Sequence, residues 1–111
     1  MFEIRTYQTA DGSRPYDEWL DGISPAFAAR IRKGVSRMEA GNFGDSWRLN
    51  SDVPIFERRF DFGPGFRAYY GRDGEAVVLL LCGGDKSSQR RDIAKAAEYW
   101  KDYMARKDNV Q

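Results

Sequence analysis

The run Val77-Val78-Leu79-Leu80-Leu81-Cys82 constrains this chain most. Six consecutive apolar residues do not alternate, so they do not describe a strand with one wet face. They are bounded by Asp73-Gly74 on one side and Gly83-Gly84 on the other. A short apolar run between turn signals reads as a strand buried on both faces. A central strand of that kind needs apolar cover on both sides of its sheet. The rest of the sequence has to supply it.

It can. The chain has 111 residues, of which 41% are hydrophobic and 14% aromatic, which suits one globular domain and excludes a disordered one. The reading is of a single domain over residues 1–111, without an internal repeat, a linker or a second unit. Phe2, Ile4 and Thr6 alternate with Glu3 and Arg5, which predicts a short first strand. Ala10 to Ser13 reads as a turn, with Ser13 a candidate helix cap and Pro15 in the first turn. Tyr16, Trp19, Leu20 and Ile23 then repeat at helical spacing.

Ser24-Pro25 restarts a helix, with Phe27, Ala28, Ile31, Val35 and Met38 as its apolar stripe and Gly41-Asn42 as its stop. The two helices should form a hairpin with a very short connection. Arg30, Lys33 and Arg37 lie off the stripe, as a solvated face or as one turned to RNA or a partner. A short strand is expected near Trp47 to Leu49. The segments IFERRFDF and FRAYY flank Gly63-Pro64-Gly65 as a hairpin. Arg72-Asp73-Gly74 turns the chain into the central strand. Ile93, Ala96, Ala97, Trp100, Tyr103 and Met104 share one face of a last helix, capped by Ser87 or Ser88, and the tail from Arg106 to Gln111 should fray. The order strand, helix, helix, three or four strands, helix predicts an α+β domain with helices packed on an antiparallel-rich sheet.

Charge excludes little, because 18 Lys and Arg balance 17 Asp and Glu. Any basic patch must come from local arrangement. There is no histidine, which removes the usual general base and the commonest metal ligand. The one cysteine, Cys82, reads as a small buried residue rather than a reactive thiol. MFEIRTYQ resembles neither a signal peptide nor a membrane span, and a soluble cytoplasmic protein is expected.

If Phe62 stands opposite Phe66, alternation puts Phe56, Phe60, Phe62, Phe66, Ala68 and Tyr70 on one face of the hairpin. Glu57, Arg59, Asp61, Arg67 and Tyr69 take the other, with Asp61 facing Arg67 and Arg59 facing Tyr69. Arg58 falls on the apolar face by parity, so either it snorkels to the edge or a bulge resets the register. The polar face is either a solvated outer face of the sheet or a concave site. On the second reading, the Gly83-Gly84-Asp85-Lys86 turn brings Lys86 beside the hairpin. Arg59, Arg67 and Lys86 then surround one phosphate. A P-loop is a poor fit, since Asp85 separates Gly84 from Lys86.

Four segments together carry a family resemblance: YQTADGSRPYDEWL, RMEAGNFGD, FERRFDFGPGFRAYY and LLLCGGDKSSQRRDIAKAAEYW. They cover nearly the whole chain in order. The chain resembles the RelE/ParE superfamily of type II toxin–antitoxin systems, and is most similar to its HigB-like, or addiction module killer, branch. The resemblance implies a RelE-like microbial RNase fold with an N-terminal strand, a helical hairpin, an antiparallel sheet and a C-terminal helix. It implies a metal-independent, ribosome-dependent mRNA endonuclease without cofactors, neutralised by a helix-turn-helix antitoxin that supplies any contacts to operator DNA.

Arg67, Lys86 and Arg59 match the family's basic site positions and are the candidate catalytic residues. Gln89 belongs to the same motif, and with Tyr69, Arg58 and Asp61 it makes the candidate RNA-contacting set. Tyr69 would orient the nucleotide or stack on a base, and Asp61 or Glu57 would serve as base or pair with the arginines. Tyr99 and Tyr103 are expected to pack. Two other readings go with the resemblance: a ParE-like toxin that poisons DNA gyrase by protein contact, and a degenerate protein that only binds its antitoxin.

Overall fold

In a computed structural model that describes residues 1–49 and 52–109, the chain is an α+β fold built on one mixed sheet. The elements run β1 (Glu3–Thr6), α1 (Pro15–Asp21), α2 (Pro25–Met38), β2 (Ser46–Arg48), β3 (Ile55–Arg59), β4 (Arg67–Asp73), β5 (Val77–Gly84), a 3₁₀ turn (Lys86–Ser88) and α3 (Gln89–Asn109). The sheet order is β1-β5-β4-β3-β2. β1 runs parallel to β5, and the other pairs are antiparallel.

β5 is interior, as its apolar run requires, and helices cover it on both faces. Val78 and Leu80 join Tyr16 and Leu20 of α1 and Ile31 and Met38 of α2 in one core. Leu79, Leu81 and Cys82 join Ala96 and Trp100 of α3 in a second core on the other face. Two adjacent residues, Leu81 and Cys82, can face α3 because the ladder slips there. Tyr69 pairs with Cys82 while Tyr70 pairs with Leu80, which leaves Leu81 as a bulge.

The two glycines that end β5 each admit a helix side chain. A Cβ on Gly83 would run into the Trp19 indole of α1, and one on Gly84 would overlap the Asp92 carboxylate of α3. The glycines are therefore required by packing on opposite faces, and neither has a positive φ.

Several local expectations change. The hairpin register is two residues off the expected one: Arg59 pairs with Arg67 and Glu57 with Tyr69. Phe60, not Phe62, bonds across to Phe66. Residues 61–65 form a wider loop than a turn closed at Gly63-Pro64-Gly65, with Gly63 and Gly65 at φ +62° and +78°. A two-residue shift preserves parity, so the strand residues keep their expected faces, whereas Asp61 leaves the polar face for the loop after β3.

Arg14, not Ser13, is the N-cap of α1, and the Ser13 hydroxyl is bonded to Glu18 instead. Ser24 stands at the N-cap of α2, but its side chain makes no cap bond. Asp85, not a serine, caps the last helical segment. It accepts from Ser87 N at 2.8 Å, and Ser88 Oγ accepts from Asp85 N in return. α3 remains helical through Asn109 rather than fraying from Arg106. Arg106 is held by Asp102, with Nη2 at 2.8 Å. The last two residues of the expected frayed tail lie outside the described residues. Tyr99 stacks on Tyr7 at 4.9 Å and Tyr103 donates to Asp73, so both pack as expected.

Candidate functional site

The seven residues singled out by sequence fall into two places. At one end of the sheet Arg59, Arg67 and Gly84 stand side by side on β3, β4 and β5. Lys86 follows two residues later, on the 3₁₀ turn. A Cβ added to Gly65 would lie 3.5 Å from both Arg67 Nη1 and Lys86 Cβ, so these two basic side chains flank the same point of the hairpin loop. The backbone thus puts Arg59, Arg67 and Lys86 at one corner, while the Arg67 side chain is turned to Glu57 and Gly65 and that of Arg59 to Trp47.

Only the Arg59 and Lys86 side of the corner is solvated. The start of α3 covers the rest. Glu57 is fully buried, Arg67 is 5% exposed and Tyr69 is buried. Arg67 Nε donates to Glu57 Oε1 at 3.2 Å and Arg67 Nη1 to the Gly65 carbonyl at 3.0 Å. Gln89, at the start of α3, donates Nε2 to both Glu57 oxygens, at 3.2 and 2.9 Å. Glu57 is therefore a buried carboxylate holding an arginine from β4 and an amide from α3. The expected partner of Arg67 was Asp61. The register shift replaces it with Glu57, which sits diagonally across the ladder.

Tyr69 is enclosed, and its hydroxyl has no hydrogen-bond partner. Burial, followed by the Glu57 charge, pushes its pKa well above the usual phenol range. A ring with no exposed surface cannot stack on a base, so the expected stacking role does not suit this conformation. Arg59 and Lys86 are exposed. The Arg59 guanidinium lies over the Trp47 ring, 4.6 Å from its centroid. Trp47 was not foreseen at the site. Its pairing with Glu57 across β2 and β3 places it on the same face as Arg59.

Cys82 is buried as expected, its thiol pushed up to about 12 by burial, so it is not a nucleophile. Asp85 is held below the usual carboxylate range, first by the Ser87 hydroxyl.

Arg58 and Asp61 lie elsewhere. Arg58 neither snorkels outward nor sits on a bulge. It remains in register, on the α2 face of the sheet, and is 9% exposed. Asp61 is exposed in the loop after β3. Both line a cleft between α2 and the end of β3, and Arg59 reaches it too.

Among the described residues no group of three or more Cys, Asp or Glu side chains is placed to hold a metal ion, and no helix is long and apolar enough to cross a membrane.

An uncharacterized protein of Haemophilus influenzae is 43% identical over 82 residues, which span 73% of this chain and 81% of that protein. The chain belongs to the family of that protein. No family model matches the sequence. The Haemophilus relative carries no stated activity, so membership in its family leaves the chemistry to be argued from the two sites.

Proposed function

We propose that this chain is a RelE/ParE-superfamily toxin of the HigB-like branch, with a RelE-like fold, and that it cleaves mRNA on the ribosome. The observation that carries this reading is the alignment of Arg59, Arg67 and Lys86 at one corner of the sheet, beside a hairpin loop rich in glycine.

The reaction is attack of a ribose 2′-oxygen on the adjacent phosphorus. A bond forms from that oxygen to phosphorus and the bond to the 5′-oxygen breaks, leaving a cyclic phosphate and a 5′-hydroxyl. The 2′-hydroxyl loses its proton to solvent water as it attacks, and the protein has to stabilise charge on the phosphorane and protonate the leaving oxygen. Arg67 and Arg59 supply fixed positive charge. Lys86, exposed and on a short turn, donates the proton.

Glu57 has a positioning part, aiming Arg67 through the Nε bond. For Arg67 to reach a phosphate, the carboxylate must share it or the Gln89 end of α3 must lift. A site closed in this way would act slowly on free RNA. It would depend on the ribosome to present the message in a reactive geometry. The partners on this reading are the ribosome with its mRNA and a helix-turn-helix antitoxin, in the cytoplasm. Operator DNA is reached only through the antitoxin.

The seal over Arg67 favours a second reading, in which Arg67 is structural and the protein is a ParE-like poison of DNA gyrase. Induced expression in bacteria separates the two. The full chain and its Lys86→Ala and Arg67→Lys variants are compared at equal soluble levels, with mRNA 5′ ends mapped. Growth arrest with new 5′ ends in translated messages, lost in Lys86→Ala, is expected. Arrest without new ends, unchanged by Lys86→Ala, would move the function to gyrase. No arrest at all would leave a protein that only binds its antitoxin.

A further inference from the structure

A cleft of about 470 Å³ opens between α2 and the end of β3, on the sheet face away from α3. Arg58 belongs to its wall, and the environment of that side chain is unusual. Its Nη1 donates to the Gly34 carbonyl at 3.1 Å. Its Nε is buried and donates to nothing. Among the described residues no carboxylate comes within 4.0 Å of its guanidinium. Burial lowers its pKa and the Arg37 charge adds to this, while Asp45 acts the other way without forming an ion pair; a guanidinium remains charged in a protein.

The slot that holds this guanidinium is built from two glycines. A Cβ on Gly34 would lie 3.0 Å from Arg58 Nη2, and one on Gly44 would lie 2.6 Å from the same atom. Gly44 has φ +60°, a conformation that glycine adopts without strain. Burying a cation without a counterion is costly, and such charges are ordinarily paired. Here the backbone makes room for the charge and leaves it open toward a cleft.

The rest of the cleft repeats the sign. Arg30, Lys33 and Arg37 line it with Arg58, against Asp45 and Asp61; Arg59 borders it, while its guanidinium turns to Trp47 on the other face. The Arg30 guanidinium lies over Phe62, 3.9 Å from the ring centroid, and Phe62 stacks on Phe27. The lining thus holds both a cation–aromatic pair and a buried guanidinium. Arg59 lines the cleft and pairs in register with Arg67, so the cleft and the Lys86 corner meet at the same end of β3.

We propose that this cleft binds the phosphodiester backbone of single-stranded RNA, with Arg58 taking a phosphate oxygen and the exposed Arg30 guanidinium, backed by Phe62, taking a base on its outer face. An acidic peptide is the lesser fit, because the cations are spread along the cleft and a planar surface stands beside them, which suits repeating phosphates with stacked bases. The choice of RNA rests on the ribonuclease reading above. The anion site itself does not.

The test is fluorescence anisotropy of a labelled 2′-O-methyl RNA of about 12 nucleotides, which cannot be cleaved, titrated with the full chain over a range of salt. The Arg30→Ala/Lys33→Ala double variant changes only exposed side chains and should fold normally. It is expected to bind at least tenfold more weakly, through loss of the stacked base at Arg30 and of one phosphate contact at Lys33, with the salt slope reduced by roughly 0.7. Arg58→Gln is expected to weaken binding further at low salt. A Lys95→Ala/Lys101→Ala control on the exposed side of α3 should bind like the parent. Equal binding by the cleft double variant would overturn the proposal. So would tighter binding of an acidic peptide than of RNA. New mRNA ends in cells together with unchanged binding by the cleft variant would sink the cleft alone. Cleft-dependent RNA binding without any mRNA cleavage would sink the nuclease and keep the cleft.

Discussion

Arg67 and Glu57 form a buried ion pair, Nε to Oε1 at 3.2 Å, with side chains 6% and 0% exposed. The same carboxylate accepts two bonds from Gln89, so one residue of β3 ties β4 to the start of α3. Removing one partner of such a pair strands a charge in the interior, which costs about 3–5 kcal/mol. Glu57→Ala and Arg67→Ala are each expected to lower unfolding free energy by that order in urea titrations. The Glu57→Leu/Arg67→Met double change should cost much less than the sum. Additive losses would mean that the two side chains do not act as a pair.

The carboxylate of Asp92 and the backbone of Gly84 are in contact across the α3–β5 seam. A Cβ at position 84 would overlap that carboxylate and lie 2.7 Å from Ser88 Oγ. Gly84→Ala therefore has to push Asp92 away and disturb the cap around Ser88. A loss of about 1–3 kcal/mol is expected, with the onset of α3 loosened. Hydrogen exchange at residues 88–92 should accelerate in the variant. Unchanged exchange there, with stability intact, would show that the seam gives way easily.

Arg72 lies beside a pair of rings in edge-to-face contact, 4.7 Å from the centroid of Phe2 and 4.9 Å from that of Phe43. It joins the N-terminal segment to the loop before β2. Its planar guanidinium can face both rings, which a lysine ammonium does less well. Arg72→Lys is expected to cost about 1 kcal/mol and to lower the melting temperature by several degrees, even though the charge is kept. A melting temperature equal to the parent's would show that charge alone suffices there.

The parts of this fold that were legible in the sequence were those governed by period. The six-residue run of β5 demanded cover on both faces, and the helical spacing of Ile93, Ala96 and Trp100 supplied it on one. Parity on the hairpin divided its two faces correctly, because a two-residue register shift leaves parity unchanged.

What could not be read was depth. Glu57, Arg59, Arg67 and Tyr69 form a polar face by composition, and a polar face normally meets water. Here three of the four lie under α3, and the group that helps to satisfy Glu57 is Gln89, 32 residues away in sequence. Arg58 was an anomaly of parity with no local explanation. Its explanation is the space left by Gly34 and Gly44, residues that in sequence look like an interruption of a helix and part of a loop. The cap was misread for a simpler reason: Asp85, Ser87 and Ser88 can all cap, and only geometry selects among them.

Each of the six tyrosines has its pKa raised in the folded chain, chiefly by burial. Tyr7 and Tyr16 are pushed up to about 12. An unfolded tyrosine ionises near 10 and an unfolded cysteine near 8.5, in each case approximately. Between those values and about 12 the folded protein keeps protons that the unfolded chain has lost. Stability should therefore fall as pH rises from roughly 9, and these groups should not affect it below that. In absorbance at the phenolate band, three of the six tyrosines, Tyr7, Tyr16 and Tyr69, should stay silent near pH 10 while far-UV circular dichroism is intact and should appear only with loss of helix signal. Four or more tyrosines ionising near pH 10 in the folded protein would contradict the burial of these three.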